Sequence, residues 1–205
     1  MNFVLLVVIG YFIGSIPCSY LSMRIFTGRD IRTLGTGSAT VTAVLMHGGK
    51  RPAAVALLAE IAKGGICFLI AHMLVGEHWA TLTILVAAVF GCSWSVWLKG
   101  NGGQGLTIAV SGLVLFNIFA VLIMAACYLL PVAVAKRHLL GNRLFRYSFP
   151  VVLGLWYVSS EYAWAYALAG ALLVLPSFIK QWLVGDEVMA ARQAESAGHS
   201  GGGAL

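Results

Sequence analysis

Two glycine-rich polar stretches carry the residue types from which a site could be built. One is Gly35-Thr36-Gly37-Ser38-Ala39-Thr40-Val41-Thr42, the other Lys99-Gly100-Asn101-Gly102-Gly103-Gln104-Gly105. Glycine lets backbone N–H groups converge on an anion, as in nests and phosphate loops. Gly35 and Gly37 permit this in the first stretch, and Gly102, Gly103 and Gly105 in the second. Thr36, Ser38, Thr40 and Thr42 add hydroxyls; Lys50, Arg51 and Lys99 add nearby charge. Such a site, facing the cytosol and open to the membrane, suits a phosphorylated substrate with a lipid tail. The competing reading is that these are turns, which are glycine-rich for conformational reasons alone.

Glu60 and Lys63 stand three apart, on one face of a helix, inside an apolar run. Ionisable groups within a span are costly and face the bundle interior. The pair either neutralises itself or reaches the polar stretches. Other chemistry is poorly supplied. The four cysteines, Cys18, Cys67, Cys92 and Cys127, lie in separate apolar runs without metal-ligand or CxxC spacing, and read as small buried hydrophobes. None of the five histidines has a carboxylate at suggestive spacing, which leaves a Ser-His-Asp arrangement unsupported. The sequence assigns no catalytic residue, no metal site and no cofactor.

The elements around these residues belong in lipid. Hydrophobic residues make up 60% of the 205 and charged residues 10%, against about 45–50% and 25% in soluble domains. Mean hydropathy is +0.91. The chain reads as all-α and polytopic: a single transmembrane domain over 1–184, then a polar tail, 185–205, expected to be disordered and cytoplasmic. Apolar from its start, with no basic n-region or cleavage site, the N-terminus reads as a retained first span, Phe3 to Phe26. Pro17, in Gly14-Ser15-Ile16-Pro17, should kink it, either as a packing feature or as a bend that opens a cavity. Val41 to Met46 is a short apolar segment, and Pro52 is placed to start a helix. Further spans are expected at Ala53–Val75, Thr81–Leu98, Leu106–Phe116, Ile118–Ala135, Phe149–Val158 and Ala163–Val184, with Arg143 and Arg146 in a loop. Leu106–Phe116 covers only about 17 Å of a hydrocarbon core about 30 Å thick; Phe149–Val158 is also short.

That makes seven transmembrane helices, two of them short. With the N-terminus outside, Arg24, Arg29, Arg32, Lys50, Arg51, Lys99, Lys136, Arg137, Arg143, Arg146, Lys180 and Arg192 all fall inside. The outer turns near Glu77, Asn117 and Glu161 hold no Lys or Arg. Five or six crossings would expose the Lys136–Arg146 cluster or the tail, so the positive-inside rule favours seven and a cytoplasmic C-terminus. It also accounts for the net charge of +6 without a nucleic-acid partner, and puts both glycine-rich stretches on the cytoplasmic face.

Gly14-Ser15-Ile16-Pro17 with Tyr20-Leu21, and then Gly28-Arg29-Asp30-Ile31-Arg32, resemble the start of the bacterial acyl-phosphate:glycerol-3-phosphate acyltransferases of the PlsY type. The family block G-S-G-N-x-G-A-T-N-V-x-R falls on Gly35 to Met46, with Gly49-Lys50 after it. Its acidic residue before Lys-Gly falls on Glu60, Lys63 and Gly64. Its second block, G-H-x-x-P-V-F-x-x-F-K-G-G-K-G, falls on Gly91 to Gly105. The resemblance covers about residues 10 to 115. The chain reads as a divergent member. Ser38 and Ala43 stand for asparagines, Met46 for arginine, Cys92 for histidine, Ser95 for proline, and Asn101 and Gln104 for lysines. A histidine and an asparagine of the last span fall near Leu175 and near Phe178 or Lys180.

The resemblance implies a seven-span enzyme of the bacterial inner membrane. It would move a fatty acyl group from acyl phosphate to a glycerol-3-phosphate hydroxyl, making lysophosphatidate for phospholipid biosynthesis, by direct attack without an acyl-enzyme. The candidate substrate-binding residues are Gly35, Thr36, Gly37, Ser38, Thr42, Lys50, Lys63, Lys99, Asn101, Gly102, Gly103, Gln104 and Gly105. The replaced cations leave two alternatives open: a catalytically degenerate relative that binds a lipid or a partner protein, or an acyltransferase for a less anionic acceptor. Lys99 or Lys180 would be the replacement cations. A small channel or transporter is disfavoured, since no inverted repeat or further intramembrane charge pair is evident.

Overall fold

The computed structural model describes residues 3–135 and 138–184. The expected tail at 185–205, with Arg192, lies outside the described residues, as do Lys136 and Arg137. Among the described residues all regular structure is helical. The helices are α1 (Phe3–Ser15), α2 (Cys18–Thr27), α3 (Val41–Gly48), α4 (Lys50–Leu74), α5 (His78–Ser93), α6 (Leu106–Phe116), α7 (Ile118–Ala135), α8 (His138–Trp156) and α9 (Ala163–Val184). Short 3-10 turns occupy Ile31–Thr33 and Val96–Leu98.

Phe3–Thr27, Lys50–Leu74, His78–Leu98 and Ala163–Leu183 are long and apolar enough to cross a membrane; Leu106–Phe116 and Ile118–Val134 are apolar but shorter. The third of the long stretches is 67% buried, against 28–33% for the other three, so α5 is the central helix. It packs against α1, α4, α6 and α9, and Ile84, Leu85, Ala88 and Val89 are fully enclosed. Phe12, Leu58, Met73, Leu122, Leu155 and Trp164 point outward and are exposed, as suits lipid rather than water.

Glycine sets the closest approach, between α1 and α5. A Cβ on Gly14 would lie 1.9 Å from the Ala88 carbonyl oxygen, and one on Gly91 would lie 2.1 Å from that of Tyr11. With no apolar driving force between helices in lipid, small residues at such contacts supply van der Waals packing.

The first span breaks at Ile16-Pro17. Proline cannot donate and clashes with the preceding turn, so α1 ends at Ser15 and the carbonyls at the break look to donors outside the helix. Lys63 Nζ reaches Gly14 O at 3.2 Å and Ile16 O at 2.9 Å. Ser95 Oγ donates to Ser15 O at 2.5 Å. One sequence expectation is corrected here. Arg143 and Arg146 lie not in a loop but within α8, which starts at His138 and carries Pro150 in its interior. The helix continues through its polar start because α8 packs between α7 and α9, where Arg146 finds partners.

A second, smaller core of Met23, Ile31, Ala39, Ala43, Val44, Ala53, Ala56 and Leu98 ties α2, α3 and the start of α4 to the loops. It holds the first glycine-rich stretch in place.

Candidate active site

Each glycine-rich stretch ends by starting a helix. In the first, Gly35 and Gly37 take positive φ, at 52° and 72°, and turn the chain back so that Gly37 N–H reaches Leu34 O at 2.9 Å. Thr40 then caps α3, its Oγ1 accepting from Ala43 N–H at 3.1 Å. In the second, Gly105 at φ 72° is the N-cap of α6 and offers no side-chain acceptor. The first-turn amides of α6 are thus left without a capping side chain. Close approach requires glycine here too: a Cβ on Gly102 would lie 1.9 Å from Cys92 O.

The two helix starts converge on one cavity of about 180 Å³. Ala39, Thr40, Val41 and Thr42 line it at the start of α3, and Gly103, Gln104, Gly105, Leu106 and Thr107 at the start of α6. Ser38 Oγ, donating to Gly102 O at 3.4 Å, links the stretches. Helix N-termini carry partial positive charge and unsatisfied donors, so a pair aimed at one space favours an anion.

Four other elements close the cavity. Ser19, just past the break in the first span, enters from α2, and Glu60 and Cys92 from α4 and α5. Asn142 and Arg146, four apart on one face of α8, supply the far wall. Arg146 is 3% exposed. Its guanidinium donates to Gln181 Oε1 and sits 5.7 Å from the Phe178 ring centroid. Glu60 Oε2 pairs with Lys63 Nζ at 2.8 Å and accepts from Cys92 Sγ at 3.9 Å. Among the described residues, the charged groups lining the cavity are therefore Glu60 and Arg146.

Of the candidate substrate-binding residues named from sequence, Thr42, Gly103, Gln104 and Gly105 line the cavity. Gly35, Thr36, Gly37, Ser38, Asn101 and Gly102 belong to the stretches that shape it but are not in its wall. Lys63 is buried behind Glu60, bonded to the broken first span. Lys50 and Lys99 are exposed and outside the lining. Lys180 Nζ donates to Gly100 O at 2.7 Å, and Ser177 Oγ to Gln104 Oε1 at 3.3 Å, so α9 braces the second stretch from behind. Sequence reasoning missed Asn142 and Arg146 as site residues. The available signal was their four-residue spacing beside an apolar run.

A family model described as glycerol-3-phosphate acyltransferase matches residues 4–182. The glycerol-3-phosphate acyltransferase 1 of Dehalococcoides mccartyi is 35% identical over 180 residues, 84% of each chain. The glycerol-3-phosphate acyltransferase of Synechococcus sp. (strain CC9902) is 31% identical over 193 residues, 91% of this chain and 94% of the relative. A crystal structure of PlsY (YgiH), an integral membrane glycerol 3-phosphate acyltransferase, in its glycerol 3-phosphate form, matches with a TM-score of 0.70 at 22% identity, covering 91% of this chain and 94% of that one. The lysophosphatidic acid form matches with a TM-score of 0.66 at 21% identity. The structural likeness is one of fold.

Proposed function

The chain belongs to the glycerol-3-phosphate acyltransferase family, and on that footing we propose that it transfers a fatty acyl group from acyl phosphate to glycerol-3-phosphate. The product is lysophosphatidate, a precursor of membrane phospholipids. The observation that carries the reading is the convergence of two helix N-termini and Arg146 on one cavity. Amides and a guanidinium aimed at one point hold a phosphate and stabilise charge that builds up on it. The acceptor hydroxyl attacks the acyl carbonyl directly, and phosphate leaves with the electron pair of the broken C–O bond. The protein is multi-pass in the bacterial cytoplasmic membrane, with seven spans, the N-terminus outside and the site facing the cytosol.

A second reading, transfer to a less anionic acceptor, is favoured by a lining whose one cation, Arg146, is offset by one carboxylate, Glu60. The test of both is acyl transfer by the purified full chain in detergent, from palmitoyl phosphate to radiolabelled glycerol-3-phosphate or glycerol. The first reading expects lysophosphatidate. It also expects Arg146→Ala to raise KM for glycerol-3-phosphate about ten- to a hundredfold, the loss of one charge-assisted contact worth about 1.5–3 kcal/mol. Product from glycerol alone selects the second reading. No product from either acceptor, with folded protein, eliminates both.

A further inference from the structure

The first turns of α8 turn a neutral amide toward the interior. Phe149 and Leu153 are fully buried and Arg146 is 3% exposed, whereas Leu144, Tyr147, Val151 and Leu155 on the opposite side face outward. Asn142 continues the inward face, since 142, 146, 149 and 153 recur at helical spacing. It is half-buried and lines the cavity. Its direction is set by backbone packing. A Cβ on Gly141 would lie 2.8 Å from Tyr128 O of α7, and one on Gly170 of α9 would lie 2.6 Å from Phe149 O. α8 thus seats directly against both neighbours, which resists rotation about its axis and holds Asn142 and Arg146 toward the cavity together.

The other walls differ from Asn142 in kind. The helix starts and Arg146 supply donors only. Thr40 Oγ1 and Gln104 Oε1 already accept from Ala43 N–H and Ser177 Oγ, and Glu60 is paired with Lys63. A carboxamide brings a donor and an acceptor in one group, which matches a hydroxyl better than a phosphate. Asn142 stands one turn from Arg146, about 6 Å along the helix axis. The phosphorus and the central hydroxyl oxygen of glycerol-3-phosphate lie a comparable distance apart.

We propose that Asn142 determines acceptor specificity by hydrogen-bonding the central hydroxyl of glycerol-3-phosphate. The inference rests on the acyl-transfer reading above. Arg146 and the helix starts hold the phosphate, Asn142 holds the central hydroxyl, and the terminal hydroxyl is left to attack the acyl carbonyl. An acceptor without a central hydroxyl leaves the amide unpaired in the wall and is rejected.

Steady-state kinetics of the purified full chain in detergent test this, with palmitoyl phosphate as donor and two acceptors. One is glycerol-3-phosphate. The other is 3-hydroxypropyl phosphate, which keeps the phosphate and the terminal hydroxyl but lacks the central one. The readout is the ratio of kcat/KM for the two. The wild type is expected to favour glycerol-3-phosphate by about tenfold or more, the scale of a hydrogen bond whose loss strands its partner. Asn142→Leu, close in volume, should bring the ratio to within about threefold of unity. Asn142→Ala should do the same, and decides by itself if the leucine variant does not fold. A purely structural role would slow both acceptors alike and keep the ratio. A folded variant with the wild-type ratio, or an active wild type that uses both acceptors equally, overturns the role of Asn142 and leaves the acyl-transfer reading standing. A folded wild type inactive with both acceptors overturns that reading and this inference with it.

Discussion

Charge in this chain is spent at few positions, and the buried charges Glu60, Lys63, Arg146 and Lys180 all have defined partners. Asp30 and Arg32 form the clearest pair outside the membrane. Arg32 Nε and Nη2 lie 3.0 and 2.7 Å from the Asp30 carboxylate, and the Arg32 N–H donates to Oδ1 at 2.9 Å, capping the turn at Ile31–Thr33. Hydrogen bonding from the guanidinium holds the Asp30 carboxyl below its usual range. A depressed carboxyl stabilises the fold above the unfolded value of about 3.9, and that contribution is lost as pH falls through the lower folded value. Both side chains are partly exposed, at 25% and 34%, so the effect is local. The expected outcome is that the Arg32 amide stays protected from hydrogen exchange, after correction for intrinsic rates, until pH drops below about 4. In Asp30→Asn that acid step should be absent. A protection profile identical in the two proteins would show that the pair does not hold the turn.

At the scale of elements, much was legible because apolar runs and their punctuation are local signals. α6, α7 and α9 begin and end where the sequence places them. Asn117 interrupts the run between α6 and α7 as the N-cap of α7, its Oδ1 accepting from Ala120 N–H at 3.0 Å. α8 was not legible. Arg143, Arg146 and Pro150 are the usual marks of a loop, and tertiary contacts, with Gln181 and Phe178 among them, make a buried arginine tolerable there. The cavity was half legible for the same reason. Glycine spacing announces the two stretches, but the partners Asn142 and Arg146 arrive from a helix about 40 residues on, which no local pattern specifies. Lys180 shows the same limit. Offered by the sequence as a substitute ligand, it is instead bonded to Gly100 O. We expect Lys180→Leu to loosen the second stretch and raise KM for glycerol-3-phosphate about tenfold, by removing a charged hydrogen bond worth about 1.5–3 kcal/mol. Lys180→Gln, which keeps a donor, should restore most of the affinity. A kinetic assay in which both variants match the wild type would show that the brace is dispensable.

The whole molecule has two chemically different ends, and this is what makes its topology testable. At one end lie the cavity and the glycine-rich stretches. At the other, the His78 ring packs 5.1 Å from Phe116, 5.8 Å from Tyr157 and 6.4 Å from Tyr166, and Tyr157 stacks on Tyr166 at 4.0 Å. α5 runs from this aromatic cluster to the cavity, α6 from the cavity to the cluster, α8 from Asn142 and Arg146 to a point beside Tyr157, and α9 from Tyr166 to Lys180. Each therefore joins the two ends, even α6, whose 11 residues rise only about 17 Å. If the ends face opposite sides of the membrane, the short helices cross as fully as the long ones, and the Lys- and Arg-poor turns lie outside. Cysteine labelling reads this directly, because the four native cysteines are buried or half-buried. Arg29, Glu77, Asn101 and Glu161 are exposed and accept single cysteines. In intact cells a membrane-impermeant maleimide should label Glu77→Cys and Glu161→Cys, and reach Arg29→Cys and Asn101→Cys only after permeabilisation. Glu161→Cys is the decisive position. If α6 fails to cross, every later segment inverts, Glu161→Cys becomes inaccessible from outside, and the basic start of α8 lies outside, against the charge rule that favours seven spans.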